Sequence, residues 1–188
     1  MEKIHLSTNK KKARTENAAL IFEDEASFRQ DSTLHATWSR RGQQPEVPVT
    51  GRRESVKIFG CVDILSSKFL YQKDTVFNAK TYICFLEKIA RNFHRQRLYY
   101  IQDNASYHKD AEVWAWFSDN RYWFTVYNLP PYSPQDNAAE PLWKYTRKVG
   151  THNRYFEDKI EIIGVLDKVF KKIQKDPDLI KGYLKPFQ

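Results

Sequence analysis

Two apolar runs of strand length each lead into an aspartate: Ala18 to Phe22 precedes Asp24, and Leu98 to Ile101 precedes Asp103. Each aspartate is therefore expected at or near the C-terminal end of a buried strand, where a carboxylate reaches the open edge of a sheet. A charge that close to a core is costly unless it is paired or bound to a metal ion, and two such sites in one small domain point to a shared divalent cation. A third acid, Glu140, follows a proline-rich connection in LPPYSPQDNAAEPLW.

The order of elements around these acids defines a fold class. After the strand Ala18 to Asp24 comes a long polar connection to about Ser55, of a length that tends to be functional in compact domains. Two β-rich runs, Val56 to Leu65 and Lys68 to Thr75, flank Ser66-Ser67 and predict a hairpin. From Asn78 to His94 the period becomes helical, with Tyr82, Phe85, Leu86, Ile89 and Phe93 on one face and Asn78 as the N-cap.

A strand Arg97 to Gln102, a helix from about Lys109 to Asp119 and a strand Tyr122 to Tyr127 follow. Pro130, Pro131 and Pro134 hold the next connection extended, since proline supplies no ladder donor and restricts its predecessor. A helix then carries Glu140. One long amphipathic helix closes the chain, with Phe156, Ile160, Ile163, Leu166, Val169, Phe170 and Ile173 inward and a lysine face outward. The expectation is an α/β fold in which helices flank a mixed five-stranded sheet.

Composition narrows the partners. The 188 residues make one domain the default, with residues 1–17, which include Lys10, Lys11, Lys12 and Arg14, as a flexible basic arm and 18–188 as the folded unit. The formal charge of +8 and the pI near 9.4 favour a polyanion, and nucleic acid is the first candidate. Cys61 and Cys84 lie in apolar stretches without metal-ligand spacing, which fits buried thiols in a reducing compartment. Nothing reads as a signal peptide or a membrane span, so the expected location is cytoplasmic, on the nucleoid when DNA is bound.

Three carboxylates from separate elements suit two-metal phosphodiester chemistry, where one ion activates the attacking water or hydroxyl and the other stabilises the leaving oxygen. Asp24 and Asp103 have 78 residues between them (103 − 24 − 1), and Asp103 and Glu140 have 36 (140 − 103 − 1). The blocks FEDEASF, TWSRRGQQP, KIFGCVD, IQDNASYH and LPPYSPQDNAAEPLW occur in that order. Together they make the chain, over about residues 18 to 175, resemble the DDE transposases of the ribonuclease H-like fold, most closely the bacterial insertion-sequence relatives of the mariner elements.

The resemblance implies Asp24, Asp103 and Glu140 as catalytic ligands of two Mg2+ or Mn2+ ions. It also implies cleavage at transposon ends by water, strand transfer into target DNA by a 3'-hydroxyl, and a homodimer on DNA. It differs from the family in Asp136, Ala138 and Ala139, where a leucine, a proline and an aliphatic residue are usual; these changes would loosen the loop that aims Glu140. The helix-turn-helix region that reads transposon ends is not expected here, since about seventeen residues precede the first strand. A catalytic half with a separately encoded recognition segment is the implied arrangement.

Around the triad, Asn104, His108, Asp136 and Asn137 are possible site neighbours; for His108 a cap or surface role is the competing reading. Asp63 reads as a strand-end or turn carboxylate, and alternation turns Glu23 and Glu25 to the face opposite Asp24. Trp38, Arg40, Arg41, Arg52, Arg53, Lys144, Arg147 and Lys148 are the expected DNA contacts, offering a stacking surface and phosphate-binding cations. Two other functions compete: a decayed transposase that binds DNA without cutting, and a ribonuclease H-type nuclease. The second wants a carboxylate on the helix after the hairpin, and Glu87 there is expected to face solvent.

Overall fold

In the computed structural model, which describes residues 6–31, 33–49, 51–94, 96–131 and 133–188, the core is one sheet with helices on both faces. Its strands are β1 (Ala19–Arg29), β2 (Ser55–Asp63), β3 (Phe69–Asp74), β4 (Leu98–Gln102) and β5 (Phe124–Asn128). The order across the sheet is β3-β2-β1-β4-β5. The hairpin partners β1, β2 and β3 run antiparallel, whereas β4 and β5 join β1 in parallel. The mixed five-stranded sheet of the sequence reading is the one observed.

β1 is the organising element because both of its faces are buried and each meets a different layer. Leu20, Phe22, Ala26 and Phe28 belong to the larger core, shared with Trp143, Leu166 and Phe170. Ala19 and Ile21 face the other way, into a cluster with Tyr82, Phe85, Leu86, Ile89 and Tyr100. This period of two makes the strand's register strict, since a one-residue slip would exchange every side chain between the layers. Helix α2 (Ala79–Asn92) covers the second face, started by a capping box in which Asn78 accepts from the Thr81 N–H and Thr81 accepts from the Asn78 N–H.

Four expectations are corrected. Residues 6–15 form helix α1 (Leu6–Thr15) rather than a mobile arm: Ala13 is fully buried, and Tyr99 donates its hydroxyl to Glu16 at 2.6 Å. Among the described side chains Ala13, Asn9 and the Tyr99 contacts with Lys12 and Glu16 dock it; Met1 to His5 lie outside the described residues. The closing helix is two helices, α5 (Lys159–Lys175) and α6 (Asp178–Leu184). Asp176, which precedes Pro177, leaves helical geometry at φ −132°, ψ 82°, as the residue before a proline is pressed to do.

The inward stripe of α5 is also rotated from the expected one. Ile162, Val165, Leu166, Phe170 and Ile173 are buried, Ile163 and Val169 are partly covered, and Ile160 is exposed. Two residues before the buried Ile162, Ile160 falls on the opposite side of the helix and faces solvent. Finally, Cys61 is buried in β2 but Cys84 is exposed on the outer side of α2, because the face set by Tyr82, Phe85 and Ile89 leaves position 84 outside.

The turn after β2 is built by Asp63. Its carboxylate accepts from the N–H groups of Leu20, Leu65 and Ser66 and from the Ser66 hydroxyl. Asp63 is therefore the turn carboxylate of the hairpin and a tie to β1. Glu87 is exposed and lies 3.7 Å from Arg91, as its place outside the apolar arc requires. Among the described residues no helix is long and apolar enough to cross a membrane.

Candidate active site

The register of the parallel ladder creates the site. Phe22 of β1 pairs with Ile101 of β4, and Asp24 and Asp103 each lie two residues further along. The two aspartates therefore emerge side by side. The next strand ends level with them, with Gln102 paired to Asn128. Asp24 itself is in the middle of β1 rather than at its end, because β1 continues to Arg29 on β2 alone. It is β4 that stops, and the open edge begins there.

A cleft of about 740 Å³ lies over this edge, lined by Asp24, Asp103, Asn104, Lys109, Trp114, Asn128, Asn137, Glu140 and the loop prolines Pro130, Pro131 and Pro134, among others. All three acids of the sequence reading line it. Clefts beyond the carboxyl ends of parallel strands are the usual ligand sites of open α/β sheets.

Glu140 opens helix α4 (Glu140–Thr146) and is delivered by a fixed connection. Asn137 donates its side-chain N–H to the backbone oxygen of Glu23 at 3.0 Å, and its own Oδ1 accepts from the Ala139 N–H. Ala138 and Ala139 are fully buried. The loop that these alanines were expected to loosen is tied at its start, where Asn137 hooks it to the strand that carries Asp24. Asp136 is exposed and does not line the cleft.

One turn after Glu140, on the same helix face, Trp143 donates its indole N–H to Asp24 Oδ2 at 2.9 Å. The buried indole reaches the strand because the residue paired with Asp24 on β2 is Gly60. A Cβ built at Gly60 would stand 2.3 Å from Trp143 Cη2. The glycine in KIFGCVD and the tryptophan in AEPLW thus form one device that supports Asp24.

Electrostatically the cleft is crowded with acid. Burial, then the charges of Glu140 and Glu25, push Asp24 up to about 8, with the Trp143 hydrogen bond pulling the other way. Glu23, wholly buried with neither carboxylate oxygen hydrogen-bonded, is raised far above the carboxylate range by burial and by Glu25, Asp24 and Asp103. Asp103 differs: burial would raise it, but hydrogen bonds from His108 and the Ala105 N–H hold it below its ordinary value. For His108, burial opposes the charge, and its contacts with Asp103 and Glu25 overcome that and raise it to about 9.

Such a set of hard oxygens short of cations fits Mg2+ or Mn2+. Oxygens of Asp24, Glu25 and Asp103 come within 4.8 Å of one another, as do the ligand atoms of Glu23, Glu25 and His108. Alternation does turn Glu25 to the face opposite Asp24, yet its carboxylate lies against Asp103 and His108, and in this the sequence reading fell short. His108 is buried and covered by the Tyr82 ring at 4.3 Å, so it is neither a cap nor a surface residue. Asn104 lines the cleft and donates to the Leu129 carbonyl, tying the ends of β4 and β5 together.

The expected DNA contacts lie elsewhere. Trp38, fully exposed, and Arg40 and Arg41 occupy the long β1–β2 connection. Arg52 and Arg53 line a second cleft of about 620 Å³ together with Arg29 and Lys57. Arg147 stacks on Phe28 at 5.3 Å, and Lys144 and Lys148 are exposed. None of these eight lines the acidic cleft; among the described residues the basic one that does is Lys109, with Trp114 beside it. Lys109 ends the short turn Ser106–Lys109 and Trp114 lies in the next helix, α3 (Ala111–Asp119); their closeness in sequence to Asp103 was the available signal.

Residues 19–163 match the family described as DDE superfamily endonuclease. The chain belongs to that family. Among curated proteins, this DDE-family chain is 27% identical over 135 residues to the insertion element IS630 uncharacterized 39 kDa protein of Shigella sonnei, covering 71% of this chain and 39% of that protein. Among solved structures it superposes on the catalytic domain of Mos1 mariner transposase with a TM-score of 0.65 at 15% identity, over 97% of this chain and 82% of that one. On the Mos1 paired-end complex with left transposon end the TM-score is 0.71 at 16% identity, over 97% and 55%. At these identities the likeness is one of fold, and that fold is the ribonuclease H-like one the motifs implied. The chain spans well under half the length of its curated relative.

Proposed function

We propose that this chain is the catalytic unit of a transposase, cutting DNA at transposon ends and joining the freed ends to target DNA. The observation that carries the reading is the convergence of Asp24, Asp103 and Glu140 on one cleft at the carboxyl edge of the sheet in a DDE-family endonuclease. Asp24, Asp103 and Glu140 would hold two Mg2+ or Mn2+ ions, with the Glu25 carboxylate close by. Bound there, the ions supply activation of the attacking oxygen and stabilisation of the leaving one.

The chain's own residues prepare that chemistry. Trp143 fixes the Asp24 carboxylate, Asn137 anchors the start of α4 to β1, and Asn104 joins the two strand ends that floor the cleft. Lys109 brings a cation to the cleft for a phosphate oxygen, and the partly exposed Trp114 offers a stacking face for a base. The flanking duplex would meet Trp38, Arg40, Arg41, Arg52, Arg53, Lys144, Arg147 and Lys148. Pairing of two ends implies a homodimer on DNA, and reading their sequence implies a helix-turn-helix segment on this or a separate chain.

The test is nicking of supercoiled plasmid with Mg2+ or Mn2+ by the wild type, Asp103→Ala and Glu140→Ala, with DNA binding measured alongside. Nicking by the wild type alone, with all three binding DNA, bears the reading out. If all three bind and none cuts, even after a recognition segment from an IS630-type relative is joined to the chain, the protein is a DNA-binding descendant of a transposase.

A further inference from the structure

A buried chain of side chains behind the cleft has no part in the reading so far. His108 is 1% exposed, and the polar atoms around its ring are acceptors. Nδ1 lies 3.2 Å from Asp103 Oδ1 and 3.2 Å from the Asp103 backbone oxygen, while Nε2 lies 3.1 Å from Glu25 Oε1 and 3.9 Å from Glu23 Oε2. With a carboxylate and a carbonyl facing Nδ1, that nitrogen serves as a donor toward Asp103. Tyr107 donates its hydroxyl to the same Glu25 oxygen, and the Tyr82 ring covers the imidazole.

The effect falls on Asp103. Its Oδ1 accepts from the Ala105 N–H at 2.8 Å and from His108, which leaves Oδ2 for the cleft that Asp103 lines. A carboxylate beyond the last ladder pair of a strand has free rotamers unless something holds it. Groups that orient a ligand from behind typically change metal affinity roughly 10- to 100-fold when removed.

We infer that His108 and Glu25 are positioning residues for the site: His108 clamps the Asp103 carboxylate so that one oxygen faces the cleft, and Glu25 fixes His108 in that pose. The inference rests on the reading of Asp103 as a cation ligand. Neither residue would touch DNA or the reacting phosphate. Glu23, buried behind the pair with no hydrogen-bonding partner for its carboxylate, closes the back of the chain.

The test is titration of the whole chain with Mn2+, followed by the electron paramagnetic resonance signal of free Mn2+, together with nicking rate against Mn2+ concentration and melting temperature. In His108→Ala, Mn2+ affinity falls roughly 10- to 100-fold, the half-saturating Mn2+ for nicking rises by a similar factor, and excess Mn2+ restores the rate. In His108→Asn, whose side-chain amide N–H stands where Nδ1 does and which serves if the alanine variant does not fold, the shift is smaller. Glu25→Gln, whose amide oxygen still accepts from His108, shifts less than His108→Ala.

Unchanged half-saturation in folded His108→Ala, with only a lower maximal rate, would make His108 structural and overturn the inference. A larger shift in Glu25→Gln than in His108→Ala would make Glu25 a ligand and overturn its positioning role. If the wild type binds Mn2+ no better than Asp103→Asn does, the cation reading itself falls, an outcome separable from both.

Discussion

Replacing Gly60 by alanine tests the device that supports Asp24. The added Cβ would lie 2.3 Å from Trp143 Cη2 and 2.8 Å from Cζ2, closer than carbon atoms approach, so the indole or the strand must shift. The indole has no room to give, being buried against Phe28, Phe69 and Phe170. Overpacking of this kind costs about 1–3 kcal/mol. At ~2–4 °C per kcal/mol for a chain of this size, the expected fall in Tm is roughly 2–12 °C. Thermal melts by circular dichroism read it directly. A double-mutant cycle assigns the cause: in a Trp143→Leu background the ring is gone, and Gly60→Ala should become nearly neutral, giving a coupling of about 0.5–3 kcal/mol. A Gly60→Ala variant that melts with the wild type, or a cost that persists without the indole, would refute the argument.

Three further outcomes follow from the same structure. Asp63→Ala leaves the Leu20 N–H and the turn donors without their acceptor and should cost about 1–3 kcal/mol in urea unfolding, with Asp63→Asn recovering part of it because its amide oxygen still accepts. In the native protein a maleimide should label Cys84 and spare Cys61, whose thiol is buried and pushed up by that burial, while denaturation exposes both; mass spectrometry of the two peptides decides it. For Asp167, burial alone would raise the carboxyl, but Lys73 Nζ at 2.7 Å and the Tyr71 hydroxyl hold it below its ordinary value. Because the folded pKa is depressed, its stabilisation is present at neutral pH and lost as pH falls through the carboxylate range. The gap between wild type and Asp167→Asn, about 0.2–1 kcal/mol at pH 7, should therefore shrink as pH falls below the ordinary aspartate range in melts across pH.

What was legible in the sequence was whatever a local pattern dictates. The strand runs, the hairpin at Ser66-Ser67, the capped helix after Asn78 and the places of Asp24 and Asp103 follow from period, turn chemistry and the cost of a charge beside a core, whereas Glu140 joined them through the family resemblance of LPPYSPQDNAAEPLW. What was not legible depends on how distant pieces meet. Glu25 was assigned by alternation to the face opposite Asp24, and its Cβ does point there. Only the structure shows that the end of β4 and the turn after it bring Asp103 and His108 within reach of its carboxylate. Gly60 and Trp143 are ordinary residues 83 positions apart (143 − 60) until the β1–β2 register and helix α4 set one over the other. The N-terminal residues looked too poor in apolar side chains to pack, yet among the described side chains Ala13, Asn9 and the Tyr99 contacts with Lys12 and Glu16 dock α1. The phase error on α5 has a similar origin, since a broad apolar arc allows several orientations and only its neighbours choose one.

The long connection between β1 and β2 begins and ends on a closed ladder: Arg29 pairs with Ser55, and the Gln30 N–H donates to the Glu54 oxygen. Its two stems are locked together at one point of the sheet, and Thr33 and His35 beyond the first stem dock on His152 and Asn153, so it is the stretch after His35 that can grow, shrink or change composition without moving Asp24. Doubling such a loop adds only ~0.6 kcal/mol of closure entropy. The molecule is thus divided, for the purposes of descent, into a catalytic edge whose geometry is tied to strand register and an outboard segment, carrying Trp38, Arg40 and Arg41, that is free to drift. Elements that diverge in the DNA they meet can do so there first, and a designer exchanging that segment between relatives has two adjoining residues at which to cut and rejoin the chain.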